Sequence, residues 1–350
     1  MKRFCFFIAA SFILLLTNAQ NNVNVDNYRF NHLERETPAK PLNPRSFYYA
    51  TQIIMPGLAK NYVDEESLYN GLGIEGQRIT DNPTENDVIV TLTMQTLNIL
   101  DSRIETRTVK KKDKEGRERR EHYYSMVITY NFQSDVVLSK GKQVIATYNL
   151  FNYKNNMTYQ TEEFPTSRAV SEYWKLNREN LRENFTKEVS FLSVTRATET
   201  LTKNFGFPIK KSSNLIKTIN EKKHPENQTL RAMADALKAR LEALDGTHPI
   251  KEEEISDIIF YFKGIPTRYT DEKSKADIRL RYVAYYNLCK IYLLLDMPEK
   301  VQQYADAITA NGYDKKDGER MMKDAVKLME LFNRTGIKGR QFDPDSLFVD

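Results

Sequence analysis

The sequence predicts an α+β protein: an antiparallel β-meander covered by a long helix, followed by an all-α helical domain. Apolar residues alternate with polar ones in several runs between positions 88 and 150. One helical stripe then runs from Val170 to Leu201, and helical spacing with start and stop signals fills positions 230–332. The 350 residues are 28% charged and 40% hydrophobic, with a formal charge of +5. That balance fits a globular protein and argues against a disordered, collagenous or multi-span membrane chain.

At the N-terminus, Lys2 and Arg3 precede an apolar run from Phe4 to Leu16. The run suits a secretory signal and falls short of the ~20 residues that span a bilayer. Thr17-Asn18-Ala19 supplies small residues for cleavage before Gln20, so residues 1–19 are expected to be a signal peptide. Cys5 lies inside the apolar run, the wrong context for a lipoprotein cysteine. After cleavage only Cys289 remains, which excludes an intramolecular disulfide. Its apolar surroundings, Tyr285 to Tyr292, predict a buried structural thiol.

Residues 20–45 are polar, carry Pro38, Pro41 and Pro44, and read as an extended leader. Residues 46–206 form the sheet domain. Ser46–Met55 is a first strand candidate, and Val88, Val90, Leu92 and Met94 mark the buried face of a second. The parity then flips to Leu97 and Ile99, which predicts a bulge near Gln95-Thr96. Tyr124 to Phe132 and Val144 to Leu150 repeat the alternation, and Tyr159–Phe164 is a weaker candidate. Thr166 or Ser167 caps a long helix with Val170, Trp174, Leu181, Phe185, Leu192 and Leu201 on its apolar side, ending at Gly206.

Residues 207–226 read as a linker and 227–335 as a five-helix domain, with 336–350 a C-terminal tail. The stripes are Leu230 to Leu244, Ile255 to Phe262, Ile278 to Leu295, Val301 to Ile308 and Met321 to Phe332. The third is apolar nearly all round, the mark of a central helix. Short connections near Asp296–Pro298 and Gly312–Asp317 predict antiparallel neighbours.

Ala284 to Tyr292, then Asp296-Met297-Pro298-Glu299-Lys300-Val301 and Tyr304, resembles one tetratricopeptide repeat. Leu288, the small residue at 289, Tyr292 and Tyr304 fall at the motif's spacing. Asp296 stands where the family has its turn glycine, and Val301 where it has alanine. The resemblance implies a helical scaffold presenting a groove to a protein partner, and it implies no chemistry. The order of meander and long helix is also similar to the sheet-and-helix domain of curli-secretion-type envelope proteins.

Gly71, Gly73 and Gly76 spell G-x-G-x-x-G. The stretch before them reads as a short helix and the stretch after as loop, so a turn is expected and no dinucleotide site. His32, His122, His224 and His248 share no metal-ligand spacing, and no nucleophile elbow occurs. The sequence therefore nominates no catalytic residue, no metal ligand and no cofactor.

Charge is the exception. Between positions 107 and 120 stand eight cations, Arg107, Lys110, Lys111, Lys112, Lys114, Arg117, Arg119 and Arg120, against three acids. The segment carries +5 and the rest of the mature chain −2. It falls between two strands with Glu115-Gly116 at the turn. These residues are the candidate anion-binding site, facing anionic lipid or lipopolysaccharide; a solvated tip that keeps the sheet edge from aggregating is the competing explanation. Nucleic acid fits poorly, because aromatic residues do not interleave with the cations.

The expected protein is an exported, non-enzymatic interaction or scaffold protein of the bacterial cell envelope, in the periplasm, at the surface or in the medium. Its helical domain would bind an envelope protein partner, and the mature chain would have no transmembrane segment. Glycan or small-ligand binding through the many tyrosines is one alternative, and a hydrolase with dispersed residues is another.

Overall fold

A computed structural model of the chain describes residues 23–42, 48–84, 87–112 and 114–344. The expected signal peptide lies outside the described residues, as do Ser46 and Phe47 and the last six residues of the expected tail. The chain divides into two units, one running from Pro38 to Gly206 and the other drawn from both chain ends, up to Thr37 and from Phe207 onward. The class is α+β, with strands concentrated in the N-terminal half and helices in the C-terminal part.

Residues Val25–Arg35 form strand β1 of the unit built from the chain ends. The other unit begins with β2 (Tyr48–Ile54), two short helices, α1 (Gly57–Lys60) and α2 (Glu65–Gly71), and β3 (Arg78–Ile79). There follow β4 (Val88–Met94), β5 (Asn98–Lys112), β6 (Glu118–Asn131), β7 (Ser134–Lys140), β8 (Gln143–Phe151), β9 (Met157–Gln160) and α3 (Ser167–Phe205). One sheet has the order β3-β2-β4-β7-β8 and a second the order β5-β6-β9. The expected antiparallel order holds for β4, β7 and β8, but β2 runs parallel to β4 because α1 and α2 carry the chain across between them.

Val88, Val90, Leu92 and Met94 are buried, as their alternation predicts. The parity flip after Met94 is not a bulge at Gln95-Thr96. There the chain leaves one sheet for the other: β4 pairs with β7 and β5 with β6, with the Gln95 amide bonded to the Gln133 carbonyl between them. The one register irregularity recorded in β5 lies between Ile99 and Asp101.

Helix α3 starts where expected, the Thr166 hydroxyl accepting from the Ala169 amide at 3.1 Å. Val170, Leu181, Phe185 and Leu201 are buried and Trp174 packs against the same core. Leu192 is 38% exposed, and Val189, Ser193 and Ala197 take the buried positions instead. Phe185 stacks on Tyr130 of β6 with ring centroids 4.6 Å apart.

The other unit departs most from the sequence reading. The expected linker contains β10 (Ile209–Ile219), and the expected leader contains its partner β1; they pair antiparallel from Val25↔Ile219 to Arg35↔Ile209. Phe30, Ile216 and Ile219 are buried in the helical core, so Val25–Arg35 of the expected leader and Ile209–Ile219 of the expected linker contribute core structure rather than connection. Five helices complete the unit: α4 (Glu226–Glu242), α5 (Ser256–Arg268), α6 (Lys275–Leu294), α7 (Val301–Asn311) and α8 (Lys315–Thr335). α6 is central, with Tyr282, Val283, Ala284, Tyr286, Leu288, Cys289, Ile291 and Tyr292 all buried.

The start of the expected tail is also fixed. Gln341 donates to the Leu33 carbonyl at 2.7 Å, Arg35 Nε donates to the Phe342 carbonyl at 2.8 Å, and Arg340 pairs with Asp296 and Glu34. Among the described residues no helix is long and apolar enough to cross a membrane.

Candidate functional site

Strands β5 and β6 pair from Asn98↔Asn131 to Lys112↔Glu118, and the chain turns at Gly116 with φ of 79°. A φ in this left-handed region is easy for glycine and strained for a side-chain-bearing residue. The third strand, β9, pairs only with Val127–Tyr130, and beyond it Phe164 bridges to Tyr124. From Arg107 to Arg120 the ribbon is therefore two-stranded. All eight sequence-nominated cations lie on it, and all eight are exposed.

Side chains of cross-strand partners project to the same face of a ribbon. Arg107, Lys111 and Arg119 therefore share one face with Glu121 and Tyr123. Lys110, Lys112 and Arg120 share the other with Glu118 and His122. The register sets Lys110 directly opposite Arg120 and Lys111 directly opposite Arg119. Like charges in such positions repel.

Four of the eight have acidic partners. Arg107 forks onto Glu163, Nε to Oε1 at 2.5 Å and Nη2 to Oε2 at 2.6 Å, and lies over the Tyr123 ring. That bond holds the Glu163 carboxyl below its ordinary range. Lys111 Nζ is 2.6 Å from Glu121 and donates to the Tyr123 hydroxyl at 3.1 Å; both partners raise its pKa, Glu121 more. Lys110 approaches Glu118 at 3.7 Å, and Arg117 pairs with Glu115. Lys112, Lys114, Arg119 and Arg120 form no ion pair among the described residues. The ribbon thus offers exposed, partly uncompensated positive charge, an arrangement suited to Coulomb attraction of phosphates.

The other sequence motifs have structural explanations. In the glycine-rich turn, the Gly73 amide donates to Thr198 Oγ1, the Ile74 amide to the Tyr49 hydroxyl and the Glu75 amide to Thr202 Oγ1. Those amides fasten the turn to α3 and β2 and do not cradle a phosphate. Cys289 is buried, and burial pushes its thiol pKa up, away from nucleophilic reactivity. The tetratricopeptide-like stretch forms α6 and α7, with Asp296 at φ 57° in the turn. One side of α6 is occupied by the chain's own β10, through Asn287 bonded to the Lys217 backbone.

Sequence reasoning missed a second group of cations. Arg29, Lys290 and Arg320 line one cavity in the unit built from the chain ends. The signal available was Lys290 itself, the single charged residue between Tyr282 and Leu295.

No protein-family model matches the sequence, and no curated protein matches it. Among solved structures, the chain is similar to a neuraminyllactose-binding hemagglutinin homologue from Helicobacter pylori, at 11% identity and a TM-score of 0.23, over 48% of this chain and 95% of that one. It is similar to rare lipoprotein B from Shewanella oneidensis at 11% identity and a TM-score of 0.19, over 43% and 96%. A minor lipoprotein from Acinetobacter baumannii matches at 11% identity and a TM-score of 0.14, over 42% and 94%. Similarity at this level carries no conclusion about activity.

Proposed function

We propose that the chain is an exported, non-enzymatic interaction protein of the bacterial cell envelope whose β5–β6 ribbon attaches it to anionic surfaces. Export rests on Lys2, Arg3 and the apolar run to Leu16. Attachment rests on one observation, the placing of Lys110 opposite Arg120 and of Lys111 opposite Arg119. A ribbon tip needing only solubility would be served by alternating signs, which attract across the strands. Stacked like charges cost folding stability and return it when an anionic partner neutralises them. In an envelope, phosphate-bearing lipid head groups are the anions at hand, and each cation near such a surface contributes ~1 kcal/mol. Binding of a protein partner by the helical unit remains the accompanying expectation.

The test is co-sedimentation of the full mature chain with vesicles of phosphatidylglycerol and phosphatidylcholine. Attachment should be strong at low salt, fall steeply with added salt, and vanish on vesicles of phosphatidylcholine alone. Reversing Lys110, Lys111 and Lys112 to Glu should abolish it. Attachment that ignores both salt and charge reversal would retire the proposal.

A further inference from the structure

The cavity containing Lys290 has a volume of about 250 Å³. Its cations come from three elements: Arg29 from β1, Lys290 from α6 and Arg320 from α8. Ser213 and Asn214 of β10 and Tyr286 of α6 supply polar atoms, and no carboxylate lines it. The Lys290 ammonium donates to Asn214 Oδ1 at 3.1 Å and makes no ion pair among the described residues. Burial lowers its pKa, and the charges of Asp324 and Asp317 oppose this only in part, with Arg320 acting alongside burial. Asp317 is committed elsewhere, to Arg320 at 2.6 Å and to the Tyr282 hydroxyl.

An ammonium withdrawn from water with no carboxylate in direct contact is costly, and Arg320 adds to the cost while Asp324 and Asp317 offset part of it. Packing does not demand it, since every neighbour in α6 from Tyr282 to Leu294 is uncharged. What the arrangement fits is an oxyanion. Lys290 and Asn214 also form the edge of an adjoining trough of about 370 Å³, where Leu293, Leu294, Leu328 and Leu331 supply apolar wall and Asp324, Lys327 and Arg340 supply charge. A ligand with its anionic end among the cations would lay an apolar body along these leucines.

We infer that this cavity binds a phosphate monoester carrying an apolar chain, the phosphate among Arg29, Lys290 and Arg320 and the chain in the leucine trough. A phosphate dianion suits a cavity lined by three cations better than a single carboxylate does, and the four leucines beside it distinguish the ligand from free phosphate. The site is independent of the β5–β6 ribbon, so the Lys110, Lys111 and Lys112 reversals should leave it intact.

Calorimetric titration of the full mature chain with hexyl phosphate, inorganic phosphate and hexanol, at fixed ionic strength, tests the inference. Hexyl phosphate should bind saturably at one site, inorganic phosphate about tenfold more weakly, and hexanol not at all. Lys290→Met should weaken hexyl phosphate binding at least tenfold. Should that variant fail to fold, Arg29→Gln, an exposed position with no ion pair among the described residues, should weaken it several-fold with an unchanged circular dichroism spectrum. Absence of saturable binding to the folded wild type, equal affinity for hexyl and inorganic phosphate, or a folded variant binding as the wild type does, overturns it.

Discussion

Asn287 completes the open edge of β10 at Lys217. The Lys217 amide donates to Asn287 Oδ1 at 2.7 Å, and Asn287 Nδ2 donates to the Lys217 carbonyl at 2.9 Å. β1 occupies the other edge of β10, so a helix side chain stands in for a strand. Asn287 is fully buried, and replacing it with Leu leaves both backbone groups without partners. At about 1–3 kcal/mol for each stranded buried group, Asn287→Leu should cost roughly 2–6 kcal/mol. Urea unfolding followed by far-ultraviolet circular dichroism should show this loss; a midpoint within error of wild type would mean that β10 does not depend on the contact.

The strand pair also predicts how the helical region behaves when isolated. Phe30 is 2% exposed and belongs to the same core as α4 to α8. Phe30→Ala should therefore destabilise this unit by about 3 kcal/mol or more, although it lies in a segment whose composition suggests a leader. A fragment of residues 225–335 lacks β1 and β10 and should unfold without a cooperative transition. A sharp, wild-type-like transition of that fragment would show that the helices form a core by themselves.

Acid should loosen the unit through Glu34. Burial by itself would raise this carboxyl, but the His32 ring 3.5 Å away, the Arg340 guanidinium at 2.7 Å and the Ser212 hydroxyl at 2.5 Å outweigh it and hold it down to about 2. A carboxyl depressed on folding contributes stability above its ordinary pKa near 4.5, and that contribution fades as pH falls toward 2. The shift corresponds to about 3 kcal/mol. Asp296, raised by burial against the pull of Arg340, acts in the opposite direction, so the comparison with Glu34→Gln isolates the effect. The variant should be less stable than wild type at pH 7, and the gap should close between pH 4.5 and 2. A gap that does not change with pH would remove Glu34 from the account.

How much of this was legible depended on whether a signal was local. The alternation at Val88 to Met94 and the helical stripes at Leu230 to Leu241 identify their buried faces because one strand or one helix holds the whole pattern. β1 was obscured by polar residues on both sides and by the prolines that follow it. Its buried face carries Phe30 and His32, and a histidine does not register as apolar. Its partner is nearly two hundred positions away, so no neighbouring sequence reveals the pairing. The cationic segment was visible as a run of charge, whereas the opposition of Lys110 and Arg120 is a matter of register, fixed by the turn at Gly116. The Lys290 cavity gathers three distant elements, and only the isolated lysine in an apolar helix hinted at it.

That register yields a prediction separating the two explanations of the ribbon. Arg120 forms no ion pair among the described residues, and Lys110 already approaches Glu118 on the same face. Arg120→Glu would set an acid directly opposite Lys110 and replace a repulsion with an attraction. Thermal unfolding of the full chain should then show a midpoint no lower than wild type. Attachment to phosphatidylglycerol vesicles should nevertheless weaken by roughly thirtyfold, the effect of changing two units of charge beside an anionic surface. If the charges served only to keep the sheet edge solvated, the stability gain would come with no change in attachment. A lowered midpoint together with lost attachment would instead mean that Arg120 supports the ribbon's structure, and the loss of binding would follow from that.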